Sequence, residues 1–122
     1  MATIANQNSQ AAEDGSAILI KWEALVTGSL DGIGVPVAKW ADKTVQVIGT
    51  PDTSTITMQG SNNNTDWFTL TDFSGTNISF TSPGGAAIAE APLYIRPLVS
   101  SVGAATDWDV LLLCRTNNIL RN

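Results

Sequence analysis

The chain reads as an all-β protein, an antiparallel β-sandwich of jelly-roll-like character with seven or eight strands and a flexible N-terminal arm. Three observations predict this. Two long segments, Ala17 to Thr27 and Asp107 to Thr116, alternate their side chains with the period of two that a strand imposes. Clusters of Gly, Pro, Asn, Asp and Ser punctuate the chain about every 8–12 residues, the spacing of a sandwich. Apolar residues at helical spacing are almost absent.

The length, 122 residues, suits one domain. Residues 1–16 read as the arm, 17–117 as the sandwich and 118–122 as a C-terminal tail. Charged residues make up 14% of the chain, against about 25% in an average domain. The surface must therefore be covered largely by Ser, Thr, Asn and Gly, which suits threonine-rich sheet faces and a protein held against neighbours. The net charge is −5 and there is no basic run, so neither nucleic acid nor a membrane is expected as a partner. The N-terminus has no basic-then-apolar leader pattern. The longest apolar run, Val110 to Cys114, falls far short of the ~20 residues of a membrane helix. The single cysteine, Cys114, lies in that run and reads as a small core residue.

In order, Met1 to Ser16 is polar, with Ile4 its one sizeable apolar residue besides Met1. Fixing backbone costs about 1–2 kcal/mol per residue, and burying one Ile returns about 1.5–3 kcal/mol. The segment is expected to order only where a partner supplies surface. Ala17 to Thr27 places Ile18, Ile20, Trp22, Ala24 and Val26 on one face of a long strand. Gly28 to Gly34 is turn-rich. Pro36 makes Val35 to Val37 an edge strand or loop, because proline lacks the ladder donor. Thr44 to Gly49 is a strand rich in β-branched residues. Ser54 to Asp72 is a hairpin whose two runs flank the polar turn Gly60 to Asp66. Asn77 to Thr81 is a strand, Ala86 to Ala91 one helical turn ended by Pro92. Leu93 to Ser100 is a strand in which Pro97 marks an edge or a bulge. Asp107 to Thr116 puts Trp108, Val110, Leu112 and Cys114 on one face.

The chain has no histidine, which removes the commonest general base and metal ligand. With one cysteine it also lacks the ligands of a zinc site. No phosphate-binding glycine loop is present. Asp107 and Asp109 stand on the same side of a strand, about 7 Å apart along it; a solvated strand end is favoured there over a calcium site. Asp66 and Asp72 flank one hairpin without converging, and Glu90 is a polar position on the short helical turn. No cofactor is expected. Trp22, Trp67 and Trp108 read as core, Trp40 as the most exposed tryptophan, and Arg96 as a structural partner of Tyr94 or of a carboxylate.

The segment Met58-Gln59-Gly60-Ser61-Asn62-Asn63-Asn64-Thr65-Asp66-Trp67-Phe68-Thr69-Leu70-Thr71-Asp72 resembles the pattern Q-G-S-N-D-G-T-N-W-x-T-L-T-D, found in discoidin-like sandwiches and in small virion proteins of tailed bacteriophages. Leu93-Tyr94-Ile95-Arg96-Pro97 resembles the R-Y-I-R-P segment that accompanies it in the phage proteins, departing at Leu93. Ala87 to Pro92 fits between them, and the likeness spans about Trp22 to Arg115. The calcium loop and ligand spikes of the discoidin family have no counterpart here. The resemblance implies a capsid decoration, or cement, protein: a small jelly-roll-like domain that oligomerises with itself and clamps major capsid protein subunits on the outer surface of the virion. On this expectation the chain is not an enzyme. Its capsid-binding residues are Ile4, Asn6, Gln7 and Asn8 of the arm and Asn62, Asn63 and Asn64 of the hairpin loop. A carbohydrate-binding module, or a tail or neck component of the virion, is the alternative.

Overall fold

The structure, a computed structural model, describes residues 3–4, 7–11, 16–26 and 31–116. The chain is all-β, an antiparallel sandwich in which two sheets face one another. Among the described residues the strands are β1 (Thr3–Ile4), β2 (Gln7–Ala11), β3 (Ala17–Val26), β4 (Asp31–Gly32), β5 (Val35–Pro36), β6 (Asp42–Thr50), β7 (Thr55–Ser61), β8 (Phe68–Thr69), β9 (Ser79–Phe80), β10 (Gly84–Ile88), β11 (Tyr94–Ser100) and β12 (Asp107–Arg115). Seven of these have five or more residues; the other five are two-residue pieces. One sheet runs β10-β6-β12-β3-β2. The other runs β1-β4-β11-β7-β8, with β5 added to β11 and β9 to β7.

Strict alternation builds the core. Along β12, Trp108, Val110, Leu112 and Cys114 point inward and are fully buried, as the sequence pattern requires. Val45 and Val47 of β6 and Ile20 and Trp22 of β3 join them from the same sheet. Ile56 and Met58 of β7 and Ile95 and Val99 of β11 close the core from the other. Each such side chain contributes about 1.5–3 kcal/mol on leaving water. The two central indoles find acceptors: Trp22 Nε1 donates to the Ile33 carbonyl at 3.0 Å, and Trp108 Nε1 to the Ser54 hydroxyl at 2.7 Å. A buried N–H without such a partner is costly.

The alternation expected along β3 breaks at Ala24. Val110 pairs with Trp22 and Trp108 with Leu25, so β3 carries one residue more than β12 between these pairs. Ala24 takes a left-handed conformation, φ 61°, and this β-bulge reverses the faces beyond it. Leu25 is buried and Ala24 exposed, the opposite of the sequence reading.

Three other expectations change. Ala86 to Ile88, the first half of the stretch Ala86 to Ala91 read as a helical turn, belong to β10, an edge strand on β6. Pro97 lies inside its sheet and not at an edge. Met58 opposite it spends its N–H on Ile78 and its carbonyl on Leu70, both on the far side. The missing proline donor therefore faces away from β7, where β11 changes partner from β5 to β4. Part of the segment read as an arm lies in strands. Gln7–Ala11 pairs with β3 and Thr3–Ile4 with β4, since an open strand edge supplies the backbone partners that side-chain burial alone did not provide.

Candidate functional site

The most organised surface lies where β7 gives way to the loop 61–67. Ser61 is the hub. Its buried hydroxyl accepts the N–H of Asn63 at 3.1 Å and of Asn64 at 2.9 Å, and donates to Asn63 Oδ1 at 2.9 Å. That Oδ1 also accepts the N–H groups of Thr65 and Asp66, at 2.9 and 2.8 Å. Asn63 Nδ2 donates to Asp66 Oδ2 at 3.0 Å. Asn64 adopts φ 60°, a conformation asparagine tolerates. Short polar side chains here replace the ladder bonds that the backbone gives up on leaving the strand.

The loop is fastened to its neighbours. Asn62 Oδ1 accepts the Leu93 N–H at 3.1 Å. Gly34 passes so close that a Cβ there would stand 2.4 Å from Asn64 Oδ1 and 2.7 Å from the Trp67 ring, so any larger residue would have to displace these side chains. The Arg96 guanidinium lies over the Trp67 ring, 4.2 Å from its centroid, and Arg96 Nε donates to Gln59 Oε1 at 2.9 Å. Gln59 and Arg96 are directly opposed in the ladder, so the two segments that carry the sequence resemblance meet in one cluster. Five large apolar side chains are exposed among the described residues: Ile33, Ile48, Phe68, Phe73 and Leu93. Of these, Ile33, Phe68 and Leu93 belong to the segments gathered around this loop.

The predicted site residues divide. Asn62, Asn63 and Asn64 are exposed, yet the amides of the first two are engaged in holding the loop. Gln7 and Asn8 are in β2 and Ile4 in β1; Asn6 lies outside the described residues. Gln59, Trp67 and Arg96 were not singled out as a site. The sequence offered only that Gln59 and Arg96 each lie in one of the two resembling segments; their opposition appears in the ladder. Trp67, read as core, is half-buried and serves as the seat of Arg96. Trp40, read as exposed, is half-buried against the core, with the Lys39 ammonium 5.0 Å over its ring.

The remaining polar groups are structural in their contacts. Asp109 Oδ1 accepts the Ala24 N–H at 2.9 Å and so caps the β3 bulge. No group of three or more His, Cys, Asp or Glu side chains converges as a metal site among the described residues. Beside the bulge, Lys21, Glu23, Ile48, Asp109, Val110 and Leu111 line a depression of about 50 Å³, room for a water or two and no more. Glu90 accepts the Thr71 N–H at 2.8 Å and the Thr71 hydroxyl. Burial pushes its carboxyl upward, but these bonds and one from its own N–H prevail, holding it below the ordinary value. Burial raises the Cys114 thiol to about 11, against the opposing pull of Lys43, its cross-strand neighbour. Lys43 is itself lowered by burial, partly offset by Cys114, and donates to the Trp40 carbonyl at 3.0 Å.

No protein-family model matches the chain, and no curated protein matches it. Among solved structures, the chain is similar to the K1 cleaved adhesin domain of Lys-gingipain from Porphyromonas gingivalis W83. The identity is 11%, the match covers 93% of this chain and 82% of that one, and the TM-score is 0.39, too low to carry an argument.

Proposed function

We propose that the chain is a structural protein of a tailed-phage virion, a capsid decoration protein that binds the outside of the head and bridges major capsid protein subunits. The observation that carries this reading is the cluster of Gln59, Trp67 and Arg96. The two resembling segments, 58–72 and 93–97, are far apart in sequence and build one exposed corner together.

Physical features support the reading. The corner is held by its own hydrogen bonds, so little order is left to acquire on docking, which lowers the entropic cost of binding. Exposed Ile33, Phe68 and Leu93 give it the apolar area that protein contacts use. An acidic, lightly charged chain is better placed outside a DNA-filled shell than against its genome. The work is mechanical: contacts across a seam between subunits add to the barrier against rupture. Individually weak contacts repeated over a symmetric shell, with oligomers spanning several sites, gain strength through multivalency.

The test is quantitative. Purified virions are expected to carry the protein in tens to hundreds of copies, and particles lacking it to release DNA at lower temperature. A few copies per particle points to the tail or neck instead. Tight binding to a glycan array by the free protein favours a carbohydrate-binding module.

A further inference from the structure

We propose that Arg96 is a recognition point for a carboxylate carried by a partner protein, the carboxylate seating end-on against the two Nη groups. Trp67 and Gln59 act as positioning residues. The inference rests on reading the chain as a protein-contact module and names the chemistry that its corner takes.

Arginine has five N–H donors in a rigid plane. Here the Nε–H is engaged by Gln59, and one face of the plane rests on Trp67. Those two contacts fix both the position and the tilt of the guanidinium. The four N–H groups on Nη1 and Nη2 are donated to none of the described residues, and none of the described carboxylates forms an ion pair with Arg96. This is notable in a chain with 11 Asp and Glu against 6 Lys and Arg. A planar fork held in place and, among the described residues, left open matches the geometry of a carboxylate, which it binds through two parallel hydrogen bonds. A lysine cannot do this, having a point charge on a flexible stem. Half-burial beside an indole weakens competition from water and strengthens such a pair.

The surroundings select the source of the carboxylate. The apolar surface beside the guanidinium is the Trp67 ring on which it rests, together with Ile33, exposed next to Gly34, the residue that closes on that ring. An apolar rim of that kind fits an acidic side chain standing among apolar neighbours on a protein. An acidic sugar, with hydroxyls around its whole edge, would leave that rim uncovered.

The experiment uses the full chain, labelled with nitrogen-15. It follows the Trp67 indole N–H and the Arg96 Nε–H while an N-acetylated, C-amidated Leu-Glu-Leu peptide is added. The peptide with Gln in place of Glu, and glucuronate, are run in parallel. Saturable shifts of both resonances with the Glu peptide are expected, with dissociation in the millimolar range and at least about fivefold weaker binding by the Gln peptide. Arg96→Lys, which keeps the charge, is expected to lose at least about fivefold. Gln59→Leu frees the guanidinium and is expected to do the same, so the test survives if one variant fails to fold. No saturable shift, equal response to Glu and Gln peptides, or tighter binding of glucuronate overturns the inference. If virions carry many copies while the peptide fails to bind, the decoration role stands and this inference falls. If the peptide binds and virions lack the protein, the decoration role falls and the carboxylate site stands.

Discussion

Two regions of this molecule use tryptophan for opposite purposes. Between the sheets, Trp22 and Trp108 are wholly buried, and each indole N–H reaches an acceptor supplied by a neighbouring loop. At the loop corner, Trp67 is half-buried and offers a flat face on which Arg96 rests. The first pair is held by burial and fixes the fold. The second region is held by hydrogen bonds around Ser61 and Asn63 and fixes the direction of a charge. A side chain that fills the core tolerates little change in volume; one that seats a cation at the surface is expected to tolerate change at a smaller cost to folding.

The comparison breaks most visibly at the core. Trp22→Ala is expected to lower the free energy of unfolding by about 3–5 kcal/mol, a large share of a typical domain's stability. Trp67→Ala, with part of its ring already in water, is expected to cost about 1–2 kcal/mol. Urea denaturation of the two variants measures both. Equal losses would mean that the corner is part of the core and that the distinction is empty.

Next in size is Ser61. Its hydroxyl is buried and bonded to two backbone N–H groups and one amide oxygen. Ser61→Ala leaves those donors without their acceptor and is expected to cost about 1–3 kcal/mol. The loss is local: amide exchange is expected to quicken at residues 62–66 while β12 keeps its protection. Uniform loss of protection would show that the loop and the sandwich open as one unit.

How much of this was legible in the sequence depends on the distance over which each signal acts. The inward face of β12 was readable because alternation is a local property, complete within the strand itself. The turn after β7 was readable because Ser61 to Asp66 are residues that bond their own backbone. The bulge in β3 was not. Alanine does not advertise a left-handed conformation, and the carboxylate that stabilises it belongs to Asp109, 85 residues away. Ala86 to Ile88 were misread because small residues suit a helical turn as well as an edge strand, and pairing with β6 decides between them. The Arg96 cluster was hidden for the same reason, since Gln59 and Arg96 become neighbours only across a ladder.

Asp109 sharpens the point at smaller scale. Asp109→Ala removes the acceptor of the Ala24 N–H and is expected to cost about 1 kcal/mol, read by thermal unfolding. Ala24→Gly, which relieves the left-handed backbone, is expected to recover part of that loss in the double variant. Failure to recover any of it would separate the bulge from its cap.

The smallest effect is the one with a pH signature. Glu90 fastens the segment after β10 to Thr71, accepting from both its backbone and its hydroxyl, while Ala89 N–H bonds the Thr71 carbonyl at 2.9 Å. Burial disfavours the charged carboxylate, but the bonds it accepts outweigh that and lower its pKa in the folded chain below 4.5, the ordinary value. A carboxyl depressed on folding adds stability above its unfolded pKa and loses it as pH falls through the folded one. Wild type is therefore expected to exceed Glu90→Gln by about 1 kcal/mol at neutral pH, a figure kept small because the group is partly in water. The margin should begin to close as the pH drops below about 4.5. Measuring the difference between the two proteins cancels the titration of the other carboxylates, which they share. A margin that persists unchanged to pH 3 would assign the latch to shape and hydrogen-bond geometry, with the negative charge contributing nothing.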